Sequence, residues 1–138
     1  MIQHSIRYRM IAKRLIRTLP EFEDVRDTDV RIAYLSSDKE KKKRDRIVYG
    51  DCTKVDSRYS WCCPYDFFIT IYAPNVEEFD DKQMEALIRH ELHHVGIDYS
   101  GAEVKFYTVP HDIEEFWDII DAYGIDWSDT RGKEKNES

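Results

Sequence analysis

The sequence predicts an α+β domain in which a small, mostly antiparallel sheet lies against helices. Three observations lead there. Residues 5–19 and 81–97 repeat their apolar side chains at helical spacing. Residues 30–35, 47–55, 67–73 and 103–109 are short and rich in β-branched and aromatic side chains, as strands are. The resulting order is helix, three strands, helix, extended strand, helix, without the regular alternation of a parallel α/β protein.

The elements follow in order. In residues 5–19, Tyr8, Ile11, Ala12, Leu15, Ile16 and Leu19 share one helical face, and Arg7, Arg9, Lys13, Arg14 and Arg17 occupy the other until Pro20 ends the pattern. The basic face reads first as the solvated back of a fold helix. A minor reading is an organelle-targeting helix, or an anchor for anionic surfaces or nucleic acid. Residues 21–29 form an acidic connection before the strand at 30–35 (VRIAYL). Lys39, Lys41, Lys42, Lys43 and Arg44 crowd into residues 36–46, a run expected in a solvated loop or hairpin tip, with weak phosphate or nucleic-acid contact as the minor option. The next strand, 47–55, contains Gly50, a candidate bulge. A loop at 56–66 holds Trp61, Cys62, Cys63 and Pro64. Residues 67–73 (FFITIYA) give the strongest strand signal, and Pro74-Asn75 closes it. After the central helix, 103–109 alternates as a strand would, and Pro110 breaks it. Residues 113–123 make a last amphipathic helix, with Gly124 as its stop.

At 138 residues the chain has the size of one domain, and 41% hydrophobic residues suffice for a core. Residues 1–127 are expected to form that domain, and the polar stretch 128–138 a disordered tail. No apolar run reaches the length of a membrane span, and the first residues lack a secretory signal core, so no membrane partner is expected. Cys52, Cys62 and Cys63 are an odd count without framework spacing, which points to a reducing, cytoplasmic setting and not to a disulfide scaffold or a second zinc site. Net charge is −7, unevenly spread. Residues 1–69 hold 15 basic and 11 acidic groups, and residues 70–138 hold 6 and 17. An acidic second half argues against nucleic acid at a site placed there.

That second half contains residues 84–96, MEALIRHELHHVG. Asp80 with Gln83 forms a capping box, and Phe79 with Met84 a hydrophobic staple, at the start of a helix over 81–97. His90 and His94 are four apart, so they project about 40° from one another, one turn up, and can grip one metal ion. Two neutral imidazoles suit Zn²⁺, one per chain. Glu91 falls in the middle of the apolar stripe of Met84, Leu87, Ile88, Leu92 and Val95, where a carboxylate is costly unless something offsets it. Beside a metal it can act as a general base toward water. His93 is expected on the solvent side and is excluded as a ligand. The plainer reading is a surface histidine cluster that binds nothing; it leaves the position of Glu91 without a reason.

A catalytic zinc takes three protein ligands and keeps a fourth position open. Ile97 and Ser100 stand where the metzincin pattern requires Gly and His. The favoured third ligand is His111, just after Pro110 and between a strand and a helix. Glu114 or Glu115 is the carboxylate alternative, and Asp98 or Asp112 a further one. Asp112 and Glu115 otherwise read as the cap of the last helix, or as groups orienting a ligand.

Residues 88–96 (IRHELHHVG), 109–124 (VPHDIEEFWDIIDAYG) and 66–72 (DFFITIY) resemble the phage metallopeptidase domain family, best over residues 65–125. More distantly the chain is similar to SprT-like and other minimal zincins, although it lacks the paired C-x-x-C motifs of the zinc ribbon that SprT-like proteins often add. The resemblance implies a zincin-like fold, zinc at His90 and His94 with Glu91 as catalytic base, support for His111 as third ligand, and a phage or prophage origin, hence the host cytoplasm.

The function expected is therefore a zinc-dependent peptidase acting on a protein or peptide. An extended substrate would pair with a sheet edge beside the helix, and Tyr99, Tyr107 or His93 would help to hold the oxyanion. The rivals are a non-catalytic protein stapled by zinc, in which a fourth protein ligand such as Asp112 or Glu115 closes the metal site, and a zinc hydrolase acting on a non-peptide bond.

Overall fold

A computed structural model of the chain describes residues 1–110, 119, 122–124 and 127–128. The fold is α+β. Strand β1 (Ile2–His4) leads into helix α1 (Ile6–Thr18), and a 3-10 turn at Pro20–Phe22 leads into the short helix α2 (Glu23–Asp27). Then come β2 (Ile32–Ser37), the hairpin of β3 (Lys42–Lys43) and β4 (Arg46–Ile47), β5 (Gly50–Lys54), β6 (Phe67–Tyr72), helix α3 (Asp81–Leu92), β7 (Val95–Asp98) and β8 (Lys105–Thr108).

The main sheet runs β1-β2-β6-β5. Its central pair, β2 with β6, is parallel, in register Tyr34 to Ile69; the flanking pairs β1-β2 and β5-β6 are antiparallel. The two small sheets, β3-β4 and β7-β8, are antiparallel as well. The expectation of a mostly antiparallel sheet therefore holds, with a parallel pair at the centre.

Side-chain alternation in β6 decides which face is covered. Phe67, Ile69 and Ile71 are fully buried, while Phe68 and Tyr72 are half-buried. The first set joins Tyr8, Ala12 and Leu15 of α1 and Met84, Leu87, Ile88 and Leu92 of α3 in one core. Each helix turns to the sheet the one apolar stripe that its sequence predicted.

Several expectations need correction. Residues 2–4 are a strand, paired antiparallel with β2, and were not foreseen because Ile-Gln-His has no period long enough to read. The strand expected at 30–35 lies at Ile32–Ser37. The strand expected at 47–55 is two pieces, β4 and β5, and Arg44 and Asp45 at the hairpin tip take positive φ (52° and 64°), as a tight two-residue turn demands. Gly50 begins β5 and pairs with Ile71 in the ladder, so it marks no bulge. The acidic connection contains α2.

The largest correction concerns the central helix. It ends at Leu92 and not at residue 97. Gly96 weakens any helical continuation by about 1 kcal/mol, whereas an extended 95–98 buries Val95 and exchanges ladder hydrogen bonds with 105–108. Val95 thus belongs to a strand, and its place in the helical stripe was coincidental. The last helix, expected at 113–123, and the tail at 128–138 fall almost wholly outside the described residues; Ile119, Ala122 and Tyr123 are helical, and Ile119 is fully buried.

Candidate metal centre

Helix α3 is fixed at both ends before any ligand is considered. At its start the Asp80 carboxylate accepts from the Gln83 amide at 2.7 Å, and the Gln83 side chain accepts from the Asp80 amide at 3.1 Å, the reciprocal box expected from the sequence. The Gln83 side chain also donates to the Trp127 carbonyl at 3.0 Å. At the other end Glu21, brought in by the turn after α1, accepts from Arg89 through both oxygens and meets His93 Nε2. The Arg89 and Glu21 side chains are each only 13% exposed. Burial raises the Glu21 pKa, but the Arg89 and His93 contacts outweigh it and hold the carboxyl below its usual range. The His93 ring also packs on Phe22 at a centroid separation of 5.0 Å.

His93 therefore faces the α1–α2 turn and not solvent, contrary to expectation. It is not in the His90–Glu91–His94 group, and Glu21 meets its Nε2. The helical wheel placed His93 away from the core of α3 correctly, but could not show that another element covers that side.

His90, Glu91 and His94 come together. Their ligand atoms all lie within 4.8 Å of one another. The two imidazole rings stand 5.2 Å apart, inclined at 68°. Glu91 Oε1 is 3.7 Å from His90 Nε2. Glu91 is 2% exposed, as its place in the apolar stripe predicted. It lies over the inner face of β5: a Cβ placed on Gly50 would stand 3.6 Å from its Cγ. Cys52, two residues on and on the same face, has its thiol pKa pushed up by burial and then by the charges of Glu91 and Asp51.

The tautomer of His94 follows from its partner. Nδ1 lies 2.6 Å from the Val109 carbonyl oxygen. A carbonyl only accepts, so Nδ1 carries the proton, and in the neutral ring Nε2 keeps its lone pair. Val109 is held in return, its amide donating to the His94 carbonyl at 2.8 Å. No local sequence signal marks Val109; the β7-β8 hairpin puts it there.

The other predicted residues are placed as follows. Asp98 is on β7 and accepts from the amide and hydroxyl of Ser100 at 2.8 and 2.7 Å, which lower its pKa. It is not in the His90–Glu91–His94 group. Tyr99 exchanges a hydrogen bond with Thr28 at 2.5 Å and donates to the Asp24 carbonyl at 3.3 Å, which ties it to α2. The Tyr107 ring lies across Gly96, where a Cβ would meet it at 2.6 Å. His111, Asp112, Glu114 and Glu115 lie outside the described residues. Cys52, Cys62 and Cys63 are free thiols.

The donor set fits a divalent cation that favours imidazole nitrogen: two histidines a turn apart, one with its free nitrogen fixed by a backbone acceptor, and a buried carboxylate beside them. Fold and site together define a class, α+β domains with a His-Glu-His group able to hold a metal at the end of a central helix. The chain belongs to the family described as Putative phage metallopeptidase, whose model matches residues 2–133. No curated protein and no solved structure gives a significant match. The family implies a metal and a protein or peptide substrate, and no helix among the described residues is long and apolar enough to cross a membrane.

Proposed function

We propose that the chain is a zinc-dependent peptidase in which His90 and His94 hold zinc through nitrogen and Glu91 is the general base. The observation behind this is the buried Glu91 carboxylate set within 4.8 Å of two imidazoles. When bound, zinc lowers the pKa of its water toward ~7 and polarises a carbonyl. Glu91 takes the proton of the attacking water and returns it to the leaving amine. His94, held by Val109, would offer its Nε2 lone pair to the ion.

His111 is the third ligand in this reading, with Glu114, Glu115 or Asp112 as substitutes. Support comes from chain length: His111 is two residues beyond Val109, whose carbonyl already touches His94, and two residues span at most about 7 Å. Strand β5 is the edge of the main sheet, with Gly50 against Glu91, so an extended peptide adding to that edge would bring its backbone to the metal group.

The test is metal content and casein cleavage for wild type and Glu91→Gln. The variant keeps zinc and loses cleavage by about 10²-fold or more. An active Glu91→Gln enzyme would refute the assignment of the base. Zinc held at full stoichiometry by His111→Ala would remove His111 from the site.

A further inference from the structure

A second concave site lies elsewhere, sharing no residue with the metal group. It is a cleft of about 820 Å³ between α1, α2 and the first half of β2. That volume is within the range of small-ligand sites. Among the described residues five cations line it, Arg9, Lys13, Arg17, Arg26 and Arg31, and no carboxylate does.

The basic face of α1 divides in two. Arg7 and Arg14 turn to α3 and meet Asp81 at 3.5 Å and Glu85 at 2.7 Å. Arg9, Lys13 and Arg17 turn to the cleft, and among the described residues none of them forms an ion pair. They follow at four-residue steps, a row about 12 Å long. This happens in a chain with 28 acidic and 21 basic residues, where carboxylates to neutralise the row are plentiful. Two other cations of the lining are set by the fold: Arg26 donates to the Ile16 carbonyl at 2.7 Å, and Arg31 stands 3.7 Å from Asp66.

The floor is apolar, with Ile16, Val30 and Ile32 in the lining. At one end Tyr65 packs against His4, centroids 5.6 Å apart.

We propose that this cleft binds a nucleotide: phosphates on Arg9, Lys13 and Arg17, and the base over the apolar floor and the Tyr65 ring. Guanidinium and ammonium groups are the usual holders of phosphate, and a base stacks on any aromatic face. A peptide of acidic residues alone would supply the charge but no ring to stack on Tyr65. The nucleotide can be free or part of a single strand, since both present the same groups.

The experiment uses the full chain in chelator, so that the metal group takes no part. ATP is titrated by calorimetry, and a fluorescein-labelled oligothymidylate by anisotropy, with polyglutamate as the competitor of other chemistry. The three proteins are wild type, Lys13→Glu with Arg17→Glu, and Arg7→Glu. Saturable binding of ATP or of the oligomer is expected, weakened about tenfold or more by the cleft pair and less than about twofold by Arg7→Glu. Binding of ATP alone assigns a free nucleotide; binding of the oligomer alone assigns a strand. The proposal is overturned if neither binds, if polyglutamate competes as well as ATP, or if Arg7→Glu costs as much as the cleft pair, which would be unspecific attraction to a basic helix. Should circular dichroism show the charge-reversed pair unfolded, Lys13→Gln with Arg17→Gln replaces it.

Discussion

His94 donates its Nδ1 proton to the carbonyl oxygen of Val109, 2.6 Å away, while Val109 donates its amide to the carbonyl of His94. One residue thus sets both the ring orientation and the tautomer of a predicted ligand. Val109→Pro deletes the amide and strains the pairing; Val109→Ala keeps both bonds. Zinc affinity, read by competition with a chromophoric chelator, should fall about 10–100-fold in the proline variant and little in the alanine variant. Equal affinities in the two would show that the backbone of Val109 does not orient His94.

Gly50 lies where β5 passes Glu91, whose Cγ would stand 3.6 Å from a Cβ added there. An added Cβ would lie 2.9 Å from Ile71 Cδ1 and 3.0 Å from the Thr70 carbonyl oxygen, and the second contact is backbone within the ladder, which cannot swing aside. Gly50→Ala should therefore destabilise the fold by about 1–3 kcal/mol, as overpacked cores do, measured by urea unfolding. Unchanged stability would mean that β5 shifts freely away from β6.

Glu21 ties the end of α3 to the turn after α1 through Arg89 and His93. Removing one partner of a largely buried ion pair leaves the other charge stranded, and Glu21→Gln should cost about 2–4 kcal/mol at neutral pH. The pH dependence has a definite sign. The folded pKa lies below the ordinary 4.5, so the contribution is present above that value and is lost as pH falls through the folded pKa. Wild type and variant should converge in stability as pH falls below 4.5 and through the folded pKa, as read by unfolding at a series of pH values. A constant gap down to pH 2 would show that the carboxylate charge is not what stabilises the turn.

Much of this was legible in the sequence where the cause is local. The capping box of Asp80 and Gln83 and the buried place of Glu91 follow from the period of one helix, which fixes directions over a few residues, and the proximity of His90 to His94 from its continuation into the turn after Leu92. The apolar stripe of α1 was readable for the same reason. The fold class followed from element order.

Tertiary contacts decided the rest, because they depend on partners the period cannot see. Helical spacing of Val95 with Leu92 did not prevent the chain from turning into β7, since Lys105–Thr108 offered a ladder whose Thr108 pairs with Val95. His93 found Glu21, 72 residues earlier, and so is covered where a wheel drew solvent. Gly50 read as a bulge and is a clearance for Ile71 and the Thr70 carbonyl across the ladder. The basic face of α1 read as uniform and is split by α3 into a matched half and an unmatched one. Sequence set which side chains point together along one element; only the packing of elements set what each of them points at.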